Sequence, residues 1–92
     1  MPRVFKIGAY WVYFWSDEQM PLEPIHVHVC PGRPGKNATK IWITKAGGCV
    51  LENNNSQIPL HTLHNIMQII SARSGEVKEK WLEFFGDIRF YC

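Results

Sequence analysis

The sequence predicts an α+β fold: a small antiparallel sheet, made of an N-terminal hairpin plus HVHV and KIWI strands, packed by two C-terminal helices. Three observations predict it. The first half carries short alternating or β-branched runs separated by Gly and Pro turns. The second half carries apolar residues at helical spacing. Strands come first and helices after, which suits segregated layers rather than alternating βαβ units. Residues 1–92 make one domain with room for one core.

Arg3 to Ile7 is the first strand, with Phe5 and Ile7 on one face and Val4 and Lys6 on the other. Gly8-Ala9 turns the chain, and Tyr10 to Trp15 (YWVYFW) is nearly all aromatic or β-branched, the composition strands favour. Trp11, Tyr13 and Trp15 share one face; Tyr10, Val12 and Phe14 share the other. One set is core, and Trp81, Phe90 and Tyr91 are expected to cover part of the second. SDEQMPLEP is a polar loop. Ile25 to Val29 is the next strand, PGRPG stops it, and Thr39 to Thr44 (TKIWIT) alternates again. Gly47-Gly48 turns into a short strand at Cys49 to Leu51, and NNNSQ is a loop.

Leu60, Leu63, Ile66, Met67 and Ile70 form the stripe of the first helix. Ser56 is its expected cap, and Pro59 is tolerated in its first turn. Ser74-Gly75 interrupts. Val77, Trp81, Phe84 and Phe85 form the second stripe, Gly86 stops that helix, and IRFYC is a last strand or a packed tail.

Aromatic residues are 13% of the chain, which matters because a small core needs large side chains. The net charge of +2 is too small to demand an anionic partner. It is unevenly spread, however: Arg33, Lys36, Lys40 and Lys45 fall between Pro31 and Lys45 with no acidic residue, a local basic patch. The 3 cysteines, Cys30, Cys49 and Cys92, are odd in number and lack a CxxC, so reduced thiols and a cytoplasmic location are expected. MPRVFKIG has no long apolar stretch, so no signal peptide is expected, and no run reaches the roughly 20 residues of a membrane span.

His26 and His28 lie two apart in EPIHVHV and point the same way as Cys30, while Ile25, Val27 and Val29 point to the core. Two such imidazoles can chelate a divalent transition metal such as zinc, the one cofactor the sequence suggests. They can also act as an acid–base pair on a phosphodiester, with Glu23 as a further carboxylate ligand or base. His61 and His64 are neighbours on the first helix. They join His26 and His28 only if that helix meets the histidine face; if it covers the Ile/Val face they are on the wrong side. The ordinary alternative is a strand with two wet histidines.

Arg33, Lys36 and Lys40 precede Trp42, and Lys40, Trp42 and Thr44 share a strand face. Basic side chains beside an exposed aromatic suit single-stranded nucleic acid; a Trp ring packed on a lysine stem is the plainer alternative. No Gly-rich phosphate loop, GxSxG or recognisable Cys/His pair is present.

MPRVFKIGAYWVYFWSDE, EPIHVHV, the KIWI strand and the closing KEKWLEFFG are similar to the small bacterial family DUF4160. That family typically begins MPxV-aromatic-x-I, carries EPPHVHV and ends in a helix with W-x-E-aromatic-aromatic-G. The resemblance runs from Met1 to Gly86 and places its signature on Glu23, Pro24, His26, His28, Trp81 and Gly86. Ile25 departs from it, standing where the family more often has a second proline. The resemblance implies a small α+β domain without an established activity. It also implies a cytosolic protein with a protein partner, since members resemble components of toxin–antitoxin-like pairs, often beside a domain called DUF2442. The expectation is therefore a non-enzymatic protein-interaction module, binding a protein partner or itself and no membrane. The alternatives are a small nuclease or metal-binding protein using His26 and His28, and a non-catalytic nucleic-acid-binding regulator using Arg33, Lys36, Lys40 and Trp42.

Overall fold

The computed structural model describes residues 2–16 and 22–92. Five strands, β1 (Arg3–Ile7), β2 (Tyr10–Tyr13), β3 (His26–Pro31), β4 (Thr39–Ile43) and β5 (Cys49–Asn53), precede two helices, α1 (Leu60–Ala72) and α2 (Ser74–Phe85). The sheet is an antiparallel meander in the order β1-β2-β3-β4-β5, so each strand pairs with its neighbour in sequence. This is the expected α+β architecture. Part of the SDEQMPLEP loop lies outside the described residues.

Cross-strand partners share a face of the sheet. The pairs Phe5–Val12, Val12–Val29 and Val27–Ile41 therefore build one apolar face. Both helices pack on it, adding Leu63, Ile66, Ile70, Val77 and Trp81 to a single buried cluster. Phe14 continues β2 beyond its ladder: its amide donates to the Pro2 carbonyl at 3.1 Å, and its ring meets Trp81 at 5.0 Å. Trp81 thus covers Phe14 on the core side and does not shield the Trp11/Tyr13/Trp15 face, contrary to the expectation from sequence. Instead, Tyr13 packs with Cys30 and Ala38 in a small second cluster, flanked by Trp11 and Trp15. The segment after β3 supplies Ala38, and Cys30 Sγ donates to the Arg33 carbonyl at 3.1 Å.

Several boundaries differ from those the sequence predicts. Ser56 is not the cap of α1. Its hydroxyl is 2.6 Å from Thr39 Oγ1 and donates to the Val29 carbonyl at 3.2 Å, while Pro59 occupies the N-cap without a side-chain cap bond. The NNNSQ loop is held from within: Asn54 Oδ1 accepts from Thr39 Oγ1 at 2.7 Å and from the Ile58 amide at 3.1 Å. This network satisfies Thr39, a fully buried polar residue on the core face. The interhelical break falls at Arg73, one residue before Ser74-Gly75, and both of those residues belong to α2. Arg73 lies 3.9 Å from the Phe5 ring and clamps Glu76 through two hydrogen bonds of 2.8 and 2.7 Å.

Gly86 ends α2 in the left-handed region at φ 74, as its position suggested. Beyond it, residues 87–92 form a packed tail and not a strand. The Ile25 amide donates to the Arg89 carbonyl at 2.7 Å, the Lys45 amide donates to the Cys92 carbonyl at 3.0 Å, and Tyr91 stacks on Trp42 at 4.9 Å.

Trp81→Ala should lower unfolding stability by about 3–5 kcal/mol in urea titration, because the cavity would open between sheet and helix. Gly86→Ala should cost about 1 kcal/mol, because alanine resists a left-handed backbone. Equal effects from the two would contradict this division between core and cap.

Candidate functional site

The face of the sheet opposite the helices gathers the polar chemistry. The pairs Lys6–Trp11, Tyr13–His28, His28–Lys40 and His26–Trp42 lie on it. A cleft of about 480 Å³ opens there, lined by Trp15, His28, Gly35, Lys36, Ala38, Lys40, Asn53 and Asn55. β3 delivers His28 from one side, β4 delivers Lys40, the end of β5 delivers Asn53, and the segment after β3 delivers Lys36.

His26 and His28 do share this side, with ring centroids 4.9 Å apart. Their access differs sharply. His28 is partly exposed and lines the cleft. Its ring lies 5.5 Å from Tyr13 and 6.3 Å from Trp15. His26 is 0% exposed, set edge-on to Trp42 at 5.5 Å and Trp81 at 5.4 Å. Its Nδ1 donates to the Pro24 carbonyl at 2.9 Å, which fixes its tautomer and leaves only Nε2 of that ring as a metal donor. Among the described residues, no group of three or more His, Cys, Asp or Glu side chains is placed to hold a metal ion.

α1 covers the Ile/Val face, so His61 and His64 lie across the sheet from His28 and the four imidazoles do not converge. His64 instead lines a groove of about 390 Å³ with Cys49, Met67, Gln68 and Ser71. Glu23 sits beside Lys40, its Oε1 3.0 Å from Nζ. Both groups are partly exposed, so solvent screens this pair.

Arg33 and Lys36 are exposed, and Lys36 borders the cleft. Trp42 is not the exposed stacking surface that the strand alternation suggested. It is 7% exposed, covered by Tyr91 on its face, with Lys40 Nζ 4.5 Å from the ring centroid and its Nε1 donating to Glu52 Oε1 at 2.8 Å. The accessible indoles are Trp15, at the cleft, and Trp11, which carries Arg3 at 4.5 Å and Lys6 at 5.1 Å. Asn53 and Asn55 read as loop residues in the sequence. Only the β4–β5 register, Lys40 opposite Asn53, brings them to the cleft.

Burial pushes the Tyr13 phenol far above its ordinary value, reinforced by Cys30, whose Sγ lies 3.9 Å from the hydroxyl. Tyr13 therefore stays neutral, a buried residue packed with Cys30 and Ala38 behind the cleft rather than an acid within it. Burial also pushes the Cys49 thiol up, against a smaller opposing effect of the Ser71 hydroxyl.

A family model described as "Domain of unknown function (DUF4160)" matches residues 9–82. No curated protein and no solved structure matches the chain. Among the described residues, no helix is long and apolar enough to cross a membrane.

The thiols should separate by reactivity. Iodoacetamide near pH 8 should label exposed Cys92 first and Cys49 and Cys30 slowly, as read by peptide mapping of the native protein. Because the Cys49 value is raised by folding, its burial favours the folded state below the ordinary thiol pKa. That contribution is lost as pH climbs through the raised value. Labelling of Cys49 as fast as Cys92 would contradict its burial.

Proposed function

The chain belongs to the DUF4160 family, and from that premise we propose that it is a non-catalytic module that binds single-stranded nucleic acid on its open sheet face. The observation that carries this reading is the cleft in which Trp15 stands beside Lys36, Lys40 and His28. A single strand needs cations along its backbone and flat surfaces for its bases, without a fixed sequence. Trp15 offers the flat surface and Lys36 and Lys40 the charge. The amides of Asn53 and Asn55 can donate to and accept from a base edge. Trp11 with Arg3 and Lys6 extends the same chemistry along the same face.

A hydrolytic reading is less well supported. Acid–base cleavage needs two groups in reach of one phosphodiester. His28 borders the cleft, while His26 is sealed between aromatic rings. A second reading, a protein-binding member of a toxin–antitoxin-like pair in a bacterial cytoplasm, draws support from exposed Leu82 and Phe84 on α2. Charge on both residues should abolish capture of such a partner while leaving nucleic-acid binding unchanged.

The test is fluorescence anisotropy with labelled single-stranded RNA and DNA of about 12 nucleotides at several salt concentrations. With about three phosphates neutralised, the logarithmic slope of affinity against salt should be about −2. Trp15→Ala should weaken binding by about 5- to 150-fold, and Lys36→Glu should weaken it while flattening the slope. Absent binding at low salt, or affinity indifferent to Trp15→Ala, would end this reading.

A further inference from the structure

The tail beyond α2 holds one aromatic ring outward. Its residues 88–91 divide in alternation: Ile88 and Phe90 pack against the core, while Arg89 and Tyr91 are exposed. Backbone hydrogen bonds fix the tail on either side of Tyr91. The Arg89 carbonyl accepts from the Ile25 amide at 2.7 Å, and the Cys92 carbonyl accepts from the Lys45 amide at 3.0 Å. Between these anchors the Tyr91 ring lies flat on Trp42, with centroids 4.9 Å apart and planes 10° from parallel. By contrast, Tyr13 meets Trp15 and His26 meets Trp42 edge-on.

Trp42 is 7% exposed and Tyr91 is 59% exposed. One face of Tyr91 rests on Trp42, so that exposure belongs largely to its other face. The sequence places a flat aromatic beside Lys40 on the outer side of β4. The fold carries that surface one ring outward, from Trp42 to Tyr91. Tyr91 is also continuous with the cleft. The Trp15 ring lies 6.3 Å from His28, Lys40 faces His28 across the β3–β4 ladder, and Lys40 Nζ lies 4.5 Å from the Trp42 ring. Trp15 follows β2 and Trp42 belongs to β4, two interstrand steps apart, or about 10 Å. A single strand covers that distance in about three nucleotide steps of roughly 3.4 Å. The nearby carboxylates are already partnered: Glu52 accepts from Trp42 Nε1, and Glu23 Oε1 sits 3.0 Å from Lys40 Nζ.

We infer that Tyr91 is a second base-stacking platform of the open sheet face, so that a bound single strand runs from Trp15 past Lys40 to Tyr91. This rests on the nucleic-acid reading of the cleft and extends it from a pocket to a path. Stacking on an aromatic side chain uses the π-face that every base has, which suits a strand of any sequence. A ring already fixed by a stack and by two backbone anchors loses little freedom when a base lands on it. Lys40 stands between the two platforms, where its ammonium meets the phosphates that join the stacked bases. The Tyr91 hydroxyl has no part in this contact; the ring face does.

Two substitutions on the whole chain separate stacking from mere cover. Tyr91→Leu keeps an apolar side chain over Trp42 but has no flat face, whereas Tyr91→Phe keeps both. With labelled single strands of about 12 nucleotides, Tyr91→Leu should weaken binding by about 5- to 150-fold, and Tyr91→Phe should bind as the wild type does. Irradiation of the wild-type complex with a strand containing 5-bromouridine, followed by peptide mapping, should crosslink Tyr91 as well as Trp15. The crosslink is read on the wild type, so it stands even where Tyr91→Leu disturbs the tail. Binding that needs Trp15 but is equal in wild type and Tyr91→Leu, with no crosslink in the tail, overturns the inference and leaves the cleft reading in place. Tighter binding by Tyr91→Leu also overturns it, because the tail would then be blocking the strand. Absence of any binding removes both.

Discussion

Trp81 is the side chain on which the rest of the structure closes. It is fully buried and reaches Phe14 of the sheet, Phe85 of its own helix and His26 at the start of β3. A domain this small has few residues that can fill such a junction, and a large ring removes about 200 Å² from water, worth about 5 kcal/mol. Its indole N–H has no hydrogen-bond partner among the described residues, at a cost of about 1–3 kcal/mol. The burial outweighs that cost. It also explains the contrast between two histidines of one motif. His26 is fixed by the aromatic junction that Trp81 completes, and His28, one pleat further on, is left to the open side.

The second constraint is that there is only one helical layer for two sheet faces. The helices take the Ile/Val face, with Ile58, Leu22, Ile88 and Phe90 packing at its margins. The other face is covered in part by Ala38 over Tyr13 and by Tyr91 over Trp42, both from segments without regular structure. The area that neither covers becomes the cleft. The cleft is therefore a consequence of how the chain rations its covering segments, and its polar rim, Lys36, Lys40, Asn53 and Asn55, comes from the loops and strand ends beside it.

Much of this was legible in the residues. Period-two alternation placed Val27 and Ile41 in the core and His28 and Lys40 opposite, and a 3.6-residue stripe located both helices. The errors have physical causes. Ser56 has the chemistry of a cap, but a buried Thr39 at the start of the neighbouring strand β4 competes for its hydroxyl. Trp42 alternates onto the outer face, yet a tail residue nearly fifty positions later covers it. Asn53 and Asn55 enter the cleft through a register irregularity between Lys40 and Ile41, which no local pattern encodes. The family signature marked His26 and His28 as a pair, and only the packing of α1 and Trp81 separates their roles.

The strictly sequential pairing of the meander also shapes the protein's history on the ribosome. Each hairpin can close as soon as its second strand emerges, since every partner is the nearest one in sequence. The helices that cover the apolar face come last, ending at Phe85. At about 5–20 residues per second, the interval between completion of β5 and completion of α2 is roughly two to six seconds. Through that interval a sheet bearing Val12, Val27, Val29 and Ile41 is fully translated and its cover is not. Nascent-chain chaperones that bind apolar strands have their opportunity there, and substitutions that slow α2 lengthen it without altering the finished fold.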